Sequence, residues 1–200
     1  MNRKIGVIAS LINVLAVAGF AISMAVDSMQ ASYLTSMMIA LSFIPMMSLF
    51  SKLASADRKS AGTVAVAFAA VYATLVLVVY FTQMTAVRTD ALNEQALSIL
   101  NYQRFGLFFS FDLLGYGMMA LSTFFAGLSF CAQNREERWL KGLLLAHGLF
   151  FPGCMIIPML GVFRAGSADT AWLGTALLLF WCAYFLPVGM LSARYGKRHA

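Results

Sequence analysis

Six long apolar segments, separated by polar connections, organise this chain of 200 residues. A helix needs about 20 mostly apolar residues to cross a bilayer, and each segment is long enough. The segments lie at about 5–26, 33–53, 61–83, 105–130, 140–163 and 171–191. This pattern predicts an all-α, polytopic integral membrane protein. We expect a six-transmembrane-helix bundle that forms a single domain over 1–200.

The composition favours the same class of protein. Hydrophobic residues make up 61% of the chain and charged residues 11%, whereas soluble domains carry about 25% charged residues. The three cysteines lie in apolar segments without a CxxC pair, which excludes a disulfide framework and gives no zinc signal. The sequence contains no GxSxG, HExxH or Walker motif. It therefore predicts no metal site and identifies no cofactor.

Basic residues are distributed unevenly over the six-span topology. Of the 14 Lys and Arg residues, the 11 on one side are Arg3, Lys4, Lys52, Arg58, Lys59, Arg135, Arg138, Lys141, Arg194, Lys197 and Arg198. The remaining three are Arg88, Arg104 and Arg164. Because cytoplasmic loops carry the excess of basic residues, both termini are expected to be cytoplasmic, in a bacterial inner (plasma) membrane. The net charge of +6 thus reflects topology and the lipid bilayer as partner, and no nucleic acid partner is expected.

The longest polar connection, 84–104, predicts a short amphipathic outer helix between spans 3 and 4. Thr89 or Asp90 is expected to cap it, and it is expected to end near Leu100. Two interpretations stay open for this segment: a lid over a cavity, or a plain connector.

The fourth segment carries Asp112 at a depth of about 10 Å, given about 1.5 Å of rise per residue. An ionisable residue at this depth is costly and marks a candidate functional site. Its helical face also holds the small or polar residues Gly115, Tyr116, Met119, Thr123 and Ala126. Asp112 is therefore expected to face the bundle and to bond Arg104, Tyr80 or Tyr116. A structural hydrogen bond or ion pair and a ligand or proton site both fit this pattern.

Two neighbouring segments contribute further candidates. The third has a stripe of mostly small residues, which allows close helix packing: Ala65, Ala69, Tyr72, Val76, Tyr80 and Gln83. The fifth contains His147 followed by two prolines and three glycines, and it is expected to depart from a regular helix between Gly148 and Pro158. No second histidine lies in an apolar segment, so a hydrogen bond is the ordinary role for His147.

The leading functional hypothesis is a membrane protein that binds or transports a small molecule in an outward-opening cavity within the bundle. Its candidate ligand-binding residues are Asp112, Tyr116, Arg104, Tyr80, Gln83, Arg164 and His147. One alternative is a membrane-embedded enzyme acting on a lipid-like substrate, with Asp112 or His147 as acid or base. The other is a non-catalytic sensor or assembly partner. The candidate partners are a small amphipathic or polar ligand and a membrane or cytoplasmic protein.

Size, helix count and orientation resemble those of the vitamin-binding subunits of energy-coupling transporters. Ala21 and Ala25 form one AxxxA motif on the first segment, as those subunits have. This motif is short and common in membrane helices, so the resemblance adds to the small-molecule hypothesis but assigns no family.

Overall fold

The structure is a computed structural model that describes residues 3–161 and 171–199, with the backbone alone at 171–173. These ranges are helical and contain no β-strand. The α-helices are α1 (Arg3–Ala25), α2 (Met29–Leu53), α3 (Lys59–Met84), α4 (Ala86–Thr89), α5 (Glu94–Leu100), α6 (Leu107–Leu128), α7 (Arg135–His147), α8 (Phe150–Met159) and α9 (Ala171–Arg198). Short 3-10 helices lie at Ala56–Arg58 and Tyr102–Arg104.

Six helical segments among the described residues are long and apolar enough to cross a membrane, with α7 and α8 together counting as one. The predicted all-α membrane architecture is therefore confirmed at this level. Several helices extend beyond their expected bounds, by the largest margins where α2 begins at Met29, α7 begins at Arg135 and α9 continues to Arg198. These extensions contain polar residues, so hydropathy alone underestimated the helices there.

A tight turn joins α1 to α2 and makes them antiparallel. Asp27 takes the left-handed conformation with φ 54°, which Asp tolerates better than most residues. The Ser28 N–H then donates to the Ser23 carbonyl at 2.8 Å and satisfies one carbonyl at the end of α1.

The long helices form a ring in which α1 packs between α9 and α2, and α3 packs between α2 and α6. α6 also contacts α7 and α8, and α7 reaches α9. We call the end that holds the start of α1 and the end of α9 the basic end. Close packing there depends on glycine: a Cβ at Gly62 would lie 2.6 Å from the Ser51 Cα, so α2 and α3 nearly touch.

The helix faces agree with the expected pattern. The whole small-residue stripe of α3 is buried, as is most of the small or polar face of α6. The Ser122 hydroxyl on α6 donates to the Ala65 carbonyl on α3 at 2.7 Å, which confirms the close approach of these two helices. The face of α6 opposite to Asp112, which carries bulky apolar residues, is half-buried.

The fifth span is broken, as its prolines and glycines predict. α7 ends at His147 and α8 begins at Phe150. Between them, the Gly148 N–H donates to the Leu145 carbonyl at 3.1 Å, a tightened 3-10 pattern. A Cβ at Gly148 would lie 2.9 Å from the Phe124 ring, so glycine is needed at this contact. No residue of α8 is buried.

The cap expected for the helix between spans 3 and 4 is wrong. Thr89 instead belongs to the short helix α4, and Asp90 ends it with extended backbone. The cap of α5 is Asn93, whose Oδ1 accepts the Ala96 N–H at 2.8 Å. Asn is as favourable as Asp at this position, so residue type alone did not distinguish Asn93 from Asp90.

Candidate functional site

Buried polar and aromatic side chains meet in the half of the bundle away from the basic end. Asp112 and Tyr116 come from α6, and Tyr72 and Tyr80 come from α3. We call these four residues the Asp112 cluster. Its position follows from the close packing of α6 on α3, because a Cβ at Gly115 would lie only 3.1 Å from the Val76 side chain.

Tyr80 is the hydrogen-bond partner of Asp112. Its hydroxyl donates to Asp112 Oδ2 at 3.1 Å, and Asp112 is only 2% exposed. The expectations that Asp112 faces the bundle and that it has a polar partner are both confirmed. Of the three partners considered, Tyr80 makes the contact, and neither Arg104 nor Tyr116 does.

Three oxygen atoms of the Asp112 cluster have no hydrogen-bond partner among the described residues. They are Asp112 Oδ1, the Tyr72 hydroxyl and the Tyr116 hydroxyl, and all three are buried. Buried polar atoms in proteins are ordinarily bonded, and each exception costs about 1–3 kcal/mol. Asn13 Oδ1 and Ser36 Oγ, on α1 and α2, also lack partners. The cluster thus concentrates unused hydrogen-bonding capacity on α3 and α6.

No positive charge of the described residues pairs with Asp112. Arg104 forms an exposed ion pair with Glu94 at 3.4 Å and lies at the surface. Arg164, another predicted site residue, lies outside the described residues. A carboxylate without a cationic partner is costly inside a membrane bundle.

Aromatic rings cover the cluster at the end of the bundle opposite the basic end, which we call the tyrosine end. Tyr33 stacks on Tyr80 with ring centroids 5.4 Å apart, and the ring centroid of Tyr102 lies 5.8 Å from that of Tyr80. Tyr102 is also close enough to interact with the Asp112 carboxyl group. Burial and the Asp112 charge raise the pKa of Tyr102, so its phenol stays protonated and remains a donor.

Gln83 fixes the polar connection over these rings. Its side-chain amide donates to the Leu100 carbonyl at 2.8 Å, and its Oε1 accepts the Tyr102 N–H at 3.0 Å. The amide is therefore fully used in holding the chain after α5 against the end of α3. Gln83 adjoins the Asp112 cluster and positions Tyr102.

His147 belongs to a separate, satisfied hydrogen-bond chain. The Trp181 indole N–H donates to His147 Nε2 at 3.0 Å. Because indole can only donate, Nε2 accepts, and the neutral ring carries its proton on Nδ1. Nδ1 then donates to the Thr123 hydroxyl at 2.8 Å, which donates to the Ala120 carbonyl at 2.9 Å. Both ring nitrogens are used within the protein, the ordinary role expected for this histidine.

The structure therefore brings Asp112, Tyr80 and Tyr116 together, places Gln83 beside them, and separates Arg104 and His147 from the carboxyl group. Sequence reasoning missed Tyr72 as a site residue, although the stripe on α3 already put it on the face of Tyr80. It also missed Tyr33, Tyr102 and Trp181, which no spacing pattern links to Asp112. The ring of Trp181 meets that of Tyr116 edge-on at 5.6 Å.

A second buried acid, Glu137, lies at the basic end. Its carboxylate accepts the Gln133 N–H at 2.8 Å, the Asn134 side-chain amide at 2.7 Å and the His199 ring at 3.1 Å. Arg198 Nη1 lies 3.7 Å away. Asn134 caps α7 because its Oδ1 accepts the Glu137 N–H at 3.0 Å, and the Glu137 carboxylate reaches back to the Gln133 N–H, so Asn134-x-x-Glu137 is a variant of the capping box.

Two shallow clefts lie at this basic end. Their linings are Glu136, Glu137, Leu140, Leu191, Tyr195 and Arg198 for one, and Arg135, Arg138 and Trp139 for the other. Neither adjoins Asp112, and the described residues contain no group of three His, Cys, Asp or Glu side chains suited to a metal ion.

Comparison with known proteins found no match to this chain among protein-family models, curated proteins or solved structures.

Proposed function

We propose that this integral membrane protein binds a small amphipathic or polar molecule at the Asp112 cluster and serves in its uptake or transport. The observation that carries the proposal is the set of three unpaired buried oxygens on Asp112, Tyr72 and Tyr116. Buried polar atoms without partners lower stability, and a ligand that bonds them recovers this loss.

The satisfied chain around His147 supports this reasoning by contrast. In that chain, Trp181, His147 and Thr123 all find partners, so the bundle is able to bury polar side chains without leaving them unpaired. Of the five buried side-chain atoms without a partner among the described residues, three belong to the Asp112 cluster. A protein tolerates destabilising unpaired atoms mainly where function requires them. Such atoms are therefore typical of a functional site.

The same geometry favours binding over catalysis. His147 has no free ring nitrogen to act as acid or base. Asp112 is then the one carboxyl group of the Asp112 cluster, and its neighbours are tyrosines. A phenol, with an ordinary pKa of about 10, is a poor base at neutral pH.

The distribution of basic residues supports an orientation with both termini in the cytoplasm of a bacterial cell. The tyrosine end then faces outward, and α5 is the outer helix beside the site. In this arrangement the ligand reaches Asp112 from the outer half of the bilayer.

The test uses the full chain purified in detergent micelles. Fractions of a small-molecule extract from the expressing host are added, and thermal unfolding of wild type, Asp112→Asn and Asp90→Asn is recorded. Asp90 is exposed, so its variant is the matched control for loss of one carboxyl group. We expect a fraction that raises the Tm of wild type and of Asp90→Asn, but not that of Asp112→Asn. If no fraction distinguishes Asp112→Asn from the other two proteins, the proposed binding function is wrong.

A further inference from the structure

The three unpaired oxygens indicate the chemistry of the ligand. Tyr116 lies one helical turn after Asp112 on α6, and its ring centroid is 5.7 Å from that of Tyr72, so the three side chains belong to one site. A primary ammonium group has three N–H donors and no acceptor. We propose that the ligand is an organic primary amine in its ammonium form, which donates to Asp112 Oδ1 and to the Tyr72 and Tyr116 hydroxyls. This inference rests on the proposed binding function.

Charge supports this ligand class. Asp112 is 2% exposed and has no ion-pair partner among the described residues. An ammonium group supplies the missing positive charge and forms charge-assisted hydrogen bonds, which are stronger than neutral ones. An anionic ligand would place two negative charges together in a low-dielectric interior, and a neutral ligand would leave the carboxylate without a counter-charge.

The surrounding rings support an organic cation. The Tyr72 and Tyr116 centroids are 5.7 Å apart on the side of the basic end, and Tyr33 and Tyr80 stack at the tyrosine end. Asp112 lies between these two pairs along the bundle. Aromatic faces attract cations, and each cation–π contact stabilises a complex by about 0.5–2 kcal/mol. The same rings also pack against apolar groups.

An inorganic cation fits less well. Ca²⁺ and Mg²⁺ take several carboxylate or carbonyl oxygens, and transition metals take His, Cys or carboxylate groups. The Asp112 cluster offers one carboxyl group and phenolic hydroxyls, and no metal-suited group of three side chains occurs in the described part of the chain.

Asp112 is buried, so we expect a ligand to reach it by displacement of a neighbouring helix, and α8 is the candidate. It packs against α6, where Phe151 and Cys154 lie 3.4 Å from the position of a Cβ on Gly117. None of its residues is buried, and the break after His147 separates it from α7. We therefore expect the ligand to enter beside α8.

The test compares two soluble probes of similar size and shape, 2-phenylethylammonium chloride and 2-phenylethanol. Thermal unfolding of the full chain in micelles at neutral pH is followed over a concentration series of each probe. We expect the ammonium probe to raise the Tm of wild type and of Asp90→Asn in a saturable manner, and the alcohol to raise it little. Asp112→Asn should abolish the response. Tyr72→Phe and Tyr116→Phe should each raise the half-saturating concentration about tenfold or more.

Each outcome supports or overturns the proposal that the ligand is an ammonium ion. Equal stabilisation by both probes, lost in Asp112→Asn, overturns the ammonium inference but leaves the binding function standing. Stabilisation of Asp112→Asn to the same extent as wild type shows an effect on the micelle and overturns the inference. The absence of any response to the ammonium probe up to its solubility limit also overturns it. If Asp112→Asn does not fold, the two Tyr→Phe variants decide, because they remove hydroxyls that bond nothing in the described structure.

Discussion

Glu137 and Asp112 are both buried acids with 2% exposure, yet their surroundings are opposite. The Glu137 carboxylate has an amide N–H, a side-chain amide, a histidine ring and an arginine around it. The Asp112 carboxyl accepts one hydrogen bond from Tyr80 and has Tyr102 nearby, but its Oδ1 bonds nothing among the described residues. The same chain thus satisfies one buried acid fully and leaves the other incomplete. We propose that this difference separates a side chain that holds the fold from one that is available to a ligand.

The largest effect is expected at Glu137. Glu137→Leu leaves the donors around it unpaired and removes the capping box of α7, so the free energy of unfolding should fall by about 2–3 kcal/mol. Unfolding in detergent micelles measures this loss. Glu136→Leu is the neighbouring control, because Glu136 pairs with half-exposed arginines and should cost less than about 1 kcal/mol. Equal losses in the two variants would show that the Glu137 network does not stabilise the fold.

A smaller loss is expected for Tyr80→Phe. The substitution removes the one hydroxyl that donates to Asp112 and leaves its carboxyl group without that bond, at a cost of about 1–2 kcal/mol. The ring still stacks on Tyr33, so a loss arises from the hydrogen bond and not from packing. Equilibrium unfolding of the variant in micelles provides the value. Stability equal to wild type would mean that the 3.1 Å contact contributes nothing.

The smallest effect, of opposite sign, is expected for Tyr116→Phe and Tyr72→Phe. Each removes a buried hydroxyl without a partner, so stability should stay constant or rise by up to about 1 kcal/mol. Together with Tyr80→Phe they form a series of identical chemical changes at three positions on one site. A loss in either variant as large as that of Tyr80→Phe would show that these hydroxyls are bonded in the native protein.

The sequence predicted those parts of the molecule that depend on local pattern. Asp112 and Tyr80 were identified by depth and helical spacing, and the break after His147 followed from prolines and glycines close in sequence. Trp181 and Tyr33 were missed because their positions depend on the order of helices around the ring, which periodicity does not encode. Asn93 was not predicted as the cap of α5, because the capping free energies of Asn, Asp and Thr differ by only about tenths of a kcal/mol.

The central claim is that the incomplete Asp112 carboxyl group binds the ligand directly. Infrared difference spectroscopy of the purified protein, with and without 2-phenylethylammonium, tests this claim. Subtraction of the same difference spectrum of Asp112→Asn isolates the carboxyl band of Asp112. We predict that this band shifts when the probe is added, because Oδ1 gains a hydrogen bond and a counter-charge. An Asp112 band that stays unchanged while the probe raises the Tm would contradict the claim and place binding elsewhere in the bundle.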